Sequence, residues 1–294
     1  MEIRAAEARD VDSALAFHDT IAPYLVVTRT NLNGRLAAPP SAGEAMFAAV
    51  DGDEVVGWGS AALTPGSDPL AGEVRILVRP DVRGRRLGAQ LLDAVHAELR
   101  RAGATSARVF AEPSSAAWAA RWGYAQTRQV HYAGIDPRKA PDLPGLPTGI
   151  ELVAMNQVDP RKLHAANEVA QRTKPGDAKI ASQPYDEWVQ DVWASPESVL
   201  DLSVVAMLED EVIGFTLGRG DRTRIWSKMT STMPEYRGRG LAKLVKAAAL
   251  QRAAAAGVQN CYTANYDGNA PMLAVNEWLG YYRVATHSVL VCPL

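Results

Sequence analysis

One local pattern occurs twice in this chain, and a chain that repeats itself in matched context is constrained to fold as two like units. The run Val78-Arg79-Pro80-Asp81-Val82-Arg83-Gly84-Arg85-Arg86-Leu87-Gly88 resembles Thr232-Met233-Pro234-Glu235-Tyr236-Arg237-Gly238-Arg239-Gly240-Leu241-Ala242, displaced by 154 positions. A second landmark agrees: Arg121-Trp122-Gly123-Tyr124 is echoed by Trp278-Leu279-Gly280-Tyr281 at a displacement of 157. Between the copies, residues 136–147 carry four prolines, which fix φ and lack amide donors. The organisation expected is an N-terminal domain over 1–136, a proline-rich linker over 137–148 and a C-terminal domain over 149–294.

Length and composition support two ordinary cores. The chain has 294 residues, 47% hydrophobic and 22% charged, which suits a globular protein and excludes a disordered polymer. With 31 Lys+Arg against 33 Asp+Glu the net charge is -2, so no global field exists to hold a nucleic acid and any anion must be captured locally. The N-terminus lacks the apolar stretch of a signal peptide and no membrane-length apolar run occurs, so a cytoplasmic location is expected. Cys261 and Cys292 have no metal-ligand spacing and read as packed thiols, with no metal site.

Periodicity gives each copy strands and helices in the same order. The first reads as a strand over 1–6, a helix from a cap at Asp10 to about 21, a hairpin of 45–50 and 55–63 about Asp51-Gly52-Asp53, and a strand over 73–78. The second reads as a helix over 160–172, strands over 202–208 and 212–217 about Glu209-Asp210-Glu211, and a strand over 224–233. After each Arg-Gly run the spacing turns helical. Leu87, Leu91, Leu92, Val95 and Leu99 share one face, as do Leu241, Leu244, Val245 and Ala248, with Lys243, Lys246 and Arg252 off it. Further strands near 107–111 and 260–264 complete strand-helix-strand units. The fold class expected is α/β, with a mixed sheet in each unit.

A strand that ends in a loop of small residues and feeds a helix exposes unpaired amides at the positive end of the helix dipole. Gly238 and Gly240 permit positive φ and close approach of a phosphate, and Arg237 and Arg239 add charge from the rim, so a diphosphate is the fitting guest.

On these residues the chain resembles the GCN5-related N-acetyltransferase superfamily, whose loop reads [Arg/Gln]-x-x-Gly-x-[Gly/Ala]. Arg237-Gly238-Arg239-Gly240-Leu241-Ala242 fits every position, and Asn269 to Gly280-Tyr281 supplies the asparagine and Gly-aromatic end of a second family stretch. The resemblance covers both halves as a tandem protein. It implies a mixed, largely antiparallel sheet flanked by helices in each domain and acetyl-CoA as the acyl donor. Ser231, Thr232 and Met233 would lend main-chain groups to the pantetheine, and Arg237, Gly238, Arg239, Gly240, Leu241 and Ala242 would cradle the pyrophosphate. Asn269 would contact the cofactor beyond the splayed strands. The reaction implied is direct attack by an amine on the thioester, with the oxyanion held by a main-chain N–H near Thr232.

The acid and base are open. Asn276 stands where the family usually has a tyrosine and has no useful titrating proton; Tyr282 and Tyr266 are nearby substitutes. Where some members carry a glutamate this chain has Ala264, and Asp177 is a candidate for binding or deprotonating the amine. His287 lies on an alternating final strand and reads as packed or exposed rather than catalytic. The first copy departs further, with Arg86 for the glycine at 240, Glu112 for Asn269 and Ala119 at the tyrosine position, all of which weaken that site. The expected function is transfer of an acetyl group to a primary amine of a small molecule in the C-terminal domain. The alternative is an acyl-CoA-binding sensor or scaffold without turnover. Trp188, Trp193 and Trp226 are candidate pocket walls that also suit a core, and Asp186 and Asp221 join Asp177 as acidic rim residues for a cationic amine. A homodimer is the assembly envisaged, with neither nucleic acid nor membrane as partner.

Overall fold

The computed structural model describes residues 1–39, 43–64, 67, 69–173 and 182–294. The chain forms two compact units, one of Met1–Val130 together with Thr286–Leu294 and one of His131–Ala285. The division therefore falls ahead of the proline-rich stretch, and the last nine residues belong with the first unit.

In the first unit β1 (Glu2–Ala5), α1 (Val11–Ile21), α2 (Arg29–Leu36), β2 (Glu44–Asp51), β3 (Glu54–Leu63), β4 (Ala71–Val78), α3 (Leu87–Arg101), β5 (Ser106–Ala111) and α4 (Ala116–Ala120) follow in order. β6 (Ala125–Ile135) carries the chain past the boundary. The second unit continues with β7 (Ile150–Ala154), α5 (Pro160–Arg172), α6 (Tyr185–Trp188), β8 (Val204–Leu208), β9 (Glu211–Gly220), β10 (Arg224–Thr232), α7 (Leu241–Ala255), β11 (Asn260–Tyr266), α8 (Ala270–Trp278) and β12 (Tyr282–Pro293).

In each unit the strand pairing is mixed and largely antiparallel. β1, β2, β3 and β4 pair antiparallel in sequence and β4 pairs parallel with β5. The end of β12 closes this sheet by pairing antiparallel with β5, from Ser288 opposite Ala111 to Pro293 opposite Ser106. In the second unit β7, β8, β9 and β10 pair antiparallel and β10 pairs parallel with β11. The two parallel pairs are the ones joined by the long helices α3 and α7, as a parallel connection requires a crossover.

The helix faces follow the periodicity in α3, where Leu87, Leu91, Leu92, Val95 and Leu99 are buried. α7 departs from it. Leu241, Leu244, Val245 and Ala248 pack in one apolar cluster while Ala247, Leu250 and Ala253 pack in another, so the helix is covered on two sides. Lys246, expected off the apolar face, is 3% exposed. The connector adds to the cover of α7: after a 3-10 turn at Pro137–Lys139 it lays Leu143 against both clusters and Ala140 against one. It is part of the second unit's packing rather than a free spacer.

Asp10 also differs from expectation. Its side chain makes no cap bond to α1. It is buried and takes a two-pronged ion pair from Arg4, with both nitrogen–oxygen distances at 2.7 Å, and accepts from the Glu7 amide at 2.8 Å. Asp159 does cap α5, accepting from the Arg161 amide at 2.8 Å. Cys261 and Cys292 are both buried and free.

Candidate functional site

In the second unit β10 and β11 are in parallel register at only three pairs, Arg224 with Asn260, Ile225 with Cys261 and Trp226 with Tyr262. An irregularity against β9 between Ser227 and Met229 bends β10 at this point. Beyond Trp226 and Tyr262 the two strands share no ladder among the described residues, which opens a wedge between them.

β10 runs from the wedge into the Arg-Gly loop through a 3-10 turn at Pro234–Tyr236. Gly238 has φ 77 and Gly240, the residue before α7, has φ 79, a left-handed backbone that glycine adopts without cost. A Cβ placed on either would meet nothing within 4 Å, so the main chain is open from outside at both. Among the described residues, the amides of Gly238, Arg239, Gly240, Leu241 and Ala242 donate to no backbone carbonyl; Lys243 and Leu244 are the first to do so, both to Gly240. Five consecutive donors at a helix N-terminus form an anion cradle of the size a diphosphate needs.

The loop is braced by its own side chains. Arg237 donates through Nε to the Thr232 carbonyl at 3.3 Å and through Nη2 to Thr173 Oγ1, just past α5, at 2.7 Å. Arg239 reaches the Glu235 carbonyl at 3.4 Å and lies 5.3 Å over the Tyr236 ring, whose hydroxyl donates to Glu211 at 2.8 Å. Both arginines are exposed, so they can turn to an anion. Leu241 contributes its amide alone, because its side chain is core at 1% exposure. Met233 lends no open main-chain donor to a ligand. Its amide donates to Ile213 and its carbonyl accepts from Tyr236, so it shapes the turn, while Ser231 and Thr232 lie half-buried on the wedge strand.

The other expected residues are placed less uniformly. Asn269 precedes α8 with no side-chain cap bond, leaving its carboxamide uncommitted to the helix. Asn276 is buried and donates through Nδ2 to Asn265 Oδ1 at 2.7 Å, while its own Oδ1 accepts no bond among the described residues. Tyr282 is 59% exposed at the start of β12. Asp177 lies outside the described residues. Trp188 is core at 2% exposure, between His164, Tyr185 and Trp193. His287 belongs to the first unit, where the Tyr24 hydroxyl lies 2.9 Å from its Nε2 and burial lowers its pKa to about 4.

Three residues of the site were not singled out by sequence: Asn265, Thr173 and Lys246. Lys246 donates to Ser227 Oγ at 3.2 Å beside the bend in β10, and desolvation lowers its pKa to about 8. The run Ala247-Ala248-Ala249, apolar on every side of the helix, is the signal that places a neighbouring lysine inside.

The first unit repeats the geometry. β4 and β5 pair over Ala71 to Val74 and then part. Arg83 Nε donates to the Val78 carbonyl at 3.1 Å, as Arg237 does to Thr232. Arg86 takes the place of Gly240 and keeps its left-handed backbone at φ 65, although a Cβ makes that conformation costly. Glu112 opens the 3-10 turn Pro113–Ser115, at the position corresponding to Asn269.

Parallel strands that part beside an Arg-Gly loop at a helix N-terminus occur in both units, which defines a tandem repeat of one fold. The profile of the Acetyltransferase (GNAT) family matches residues 15–124 and 164–281, and the chain belongs to that family. Solved structures agree on the fold. A GCN5-related N-acetyltransferase from Sphaerobacter thermophilus is similar over 99% of this chain and 95% of its own, with 17% identity and a TM-score of 0.74. A tandem GNAT protein from the clavulanic acid biosynthesis pathway is similar over 99% and 98%, with 21% identity and a TM-score of 0.74. No curated protein sequence matches the chain.

Proposed function

We propose that the second unit transfers an acetyl group from acetyl-CoA to a primary amine of a small molecule by direct attack, without a covalent enzyme intermediate. The observation that carries this reading is the row of five amides from Gly238 to Ala242 without an internal backbone acceptor, at the mouth of the β10–β11 wedge. These amides would hold the diphosphate, with Arg237 and Arg239 closing on it from the rim. The open edges of β10 near Ser231 and Thr232 would align the pantetheine arm and supply an N–H to the developing oxyanion. The donor brings an activated thioester; the chain's part is to bind, orient and exclude water. Asn276, held by Asn265, offers no proton to the departing sulfur. A thiol of pKa near 8.5 leaves tolerably as thiolate, so turnover survives at a cost of roughly 10²–10⁴-fold. A homodimer acting in the cytoplasm belongs to the same reading, consistent with no described helix being long and apolar enough to cross a membrane.

Mixing the protein with acetyl-CoA and a panel of amines, with mass detection of acetylated product, tests the proposal. Product that disappears in Arg237→Ala combined with Gly240→Glu supports it, and unchanged turnover in that variant refutes it. The commitment of Asn276 to Asn265 favours a second reading, an acyl-CoA-binding module. Tight CoA binding by calorimetry with no product from any amine and no thioester hydrolysis would select it.

A further inference from the structure

Beside the bend in β10 the second unit has a partly open cavity of about 30 Å³, bounded by Leu202, Ile225, Leu250, Ser227, Tyr281 and Lys246 among others. Lys246 is 3% exposed, and its ammonium sits between Ser227 Oγ at 3.2 Å and the face of Tyr281, 5.1 Å from the ring centroid. Among the described residues no carboxylate pairs with it. The neighbouring Cys261 thiol is pushed by burial up to about 12 and so brings no negative charge. A desolvated ammonium with one hydrogen bond and no counter-charge is an unstable element of a core unless something completes it.

The rest of the lining says what would. Ser227 accepts from Lys246, which leaves its own O–H to donate, and the Tyr281 phenol, kept protonated by burial, makes no hydrogen bond among the described residues. Lys246 and Ser227, 3.2 Å apart, and Tyr281 thus stand as donors in a lining otherwise made largely of aliphatic side chains. A site of one water needs about 10–15 Å³, so this one has room for a group of two or three heavy atoms. A few donors within a mostly hydrocarbon lining suit a planar anion with a short apolar stem.

We infer that Lys246, Ser227 and Tyr281 form a binding site for a carboxylate in the core of the second unit. The carboxylate has two possible sources of the same chemistry: a free short-chain carboxylate, or the terminal carboxylate of a dicarboxylic acyl group carried on CoA. The second source rests on the proposed CoA reading, because Ser227 is the first residue beyond the paired part of β10 and β11, where the wedge opens.

The full chain, labelled with ¹³C at lysine Cε and with the Lys246 resonance identified through Lys246→Met, is titrated with sodium formate at constant ionic strength. Formate is expected to move that resonance and to raise the lysine's midpoint by about one pH unit. It is also expected to raise the unfolding midpoint of the wild type, but not of Lys246→Met, by roughly 3–6 °C at a tenfold excess over the dissociation constant. Should the acyl chain be the source, formate does nothing. Malonyl-CoA or succinyl-CoA then shifts the resonance while acetyl-CoA does not, and Lys246→Met loses a preference of at least tenfold for them. Lys246→Gln serves if the methionine variant does not fold. No response to formate or to either dicarboxylic thioester, or a response to acetyl-CoA of the same size, overturns the site. Failure of every CoA compound to bind would count against the acyl-transfer reading and leave the formate result to decide the cavity.

Discussion

Replacing Gly240 by glutamate separates what the loop does for the fold from what it does for an anion. The position has φ 79, and a Cβ there meets nothing within 4 Å, so the cost to the fold is backbone strain without a clash. That strain is about 1–2 kcal/mol for a non-glycine residue in the left-handed region. The first unit already holds Arg86 at φ 65 in the same place, so the conformation tolerates a side chain. The effect on an anion is larger. A carboxylate about 4 Å from a phosphate charge is opposed by about 4 kcal/mol at the effective dielectric of a protein surface, and it adds bulk where close approach is needed. Chemical denaturation should show a loss of about 1–2 kcal/mol, while calorimetry should show CoA affinity falling at least about 100-fold. A loss of stability beyond about 3 kcal/mol would mean that the loop is packed rather than open. CoA affinity within about threefold of wild type would mean that these amides do not hold the diphosphate.

Two further outcomes follow from buried groups. His18 and His287, both desolvated, bind a proton only at about 3 and about 4, whereas an ordinary imidazole does so at 6.5. The unfolded chain therefore takes up protons first, so stability is full above pH 6.5 and falls below it, by about 1.4 kcal/mol per pH unit for each histidine. Thermal unfolding between pH 7 and 4 checks this; His18→Phe should flatten the dependence, and an unaltered slope counts against it. Cys261 and Cys292 are 4% and 1% exposed and both thiols are raised by burial. A thiol reagent at pH 8 should find neither in the native protein and both after unfolding, and fast native labelling would contradict the packing.

Much of the architecture was legible because it depends on local rules. The doubled Arg-Gly run, its placement after a strand and before α3 or α7, and the spacing of Leu87, Leu91, Leu92, Val95 and Leu99 all survive in the structure. The helix expected over 160–172 is found at Pro160–Arg172, where the structure adds a cap at Asp159. What sequence could not reach is set by contacts distant along the chain. Lys246 turned inward because Ser227 on β10 and the Tyr281 ring cover the side of α7 that spacing alone assigns to solvent. Asp10 exchanged a cap for Arg4, since a buried carboxylate gains more from a two-pronged ion pair than from one amide. α2 was missed for lack of an apolar stripe, Leu32 being its one buried residue, although Thr28 accepts from the Asn31 amide as a cap at its start. At the site, the loop was readable from its glycines, whereas the pairing of Asn276 with Asn265 needed β11 and α8 in place.

The pairing of Ser288–Pro293 with β5 has a consequence for how the chain is made. Leu290 and Cys292 lie in the same apolar cluster as Val74, Val95 and Leu99, so the earlier half of the polypeptide cannot finish its interior until residues 288–293 have been translated. A nascent chain halted near the middle would leave one border of β5 bare, an invitation to chaperones or to strand exchange with a neighbour. Separating the two halves on different plasmids would yield an N-terminal piece in need of its final strand, which a synthetic peptide of residues 286–294 should supply.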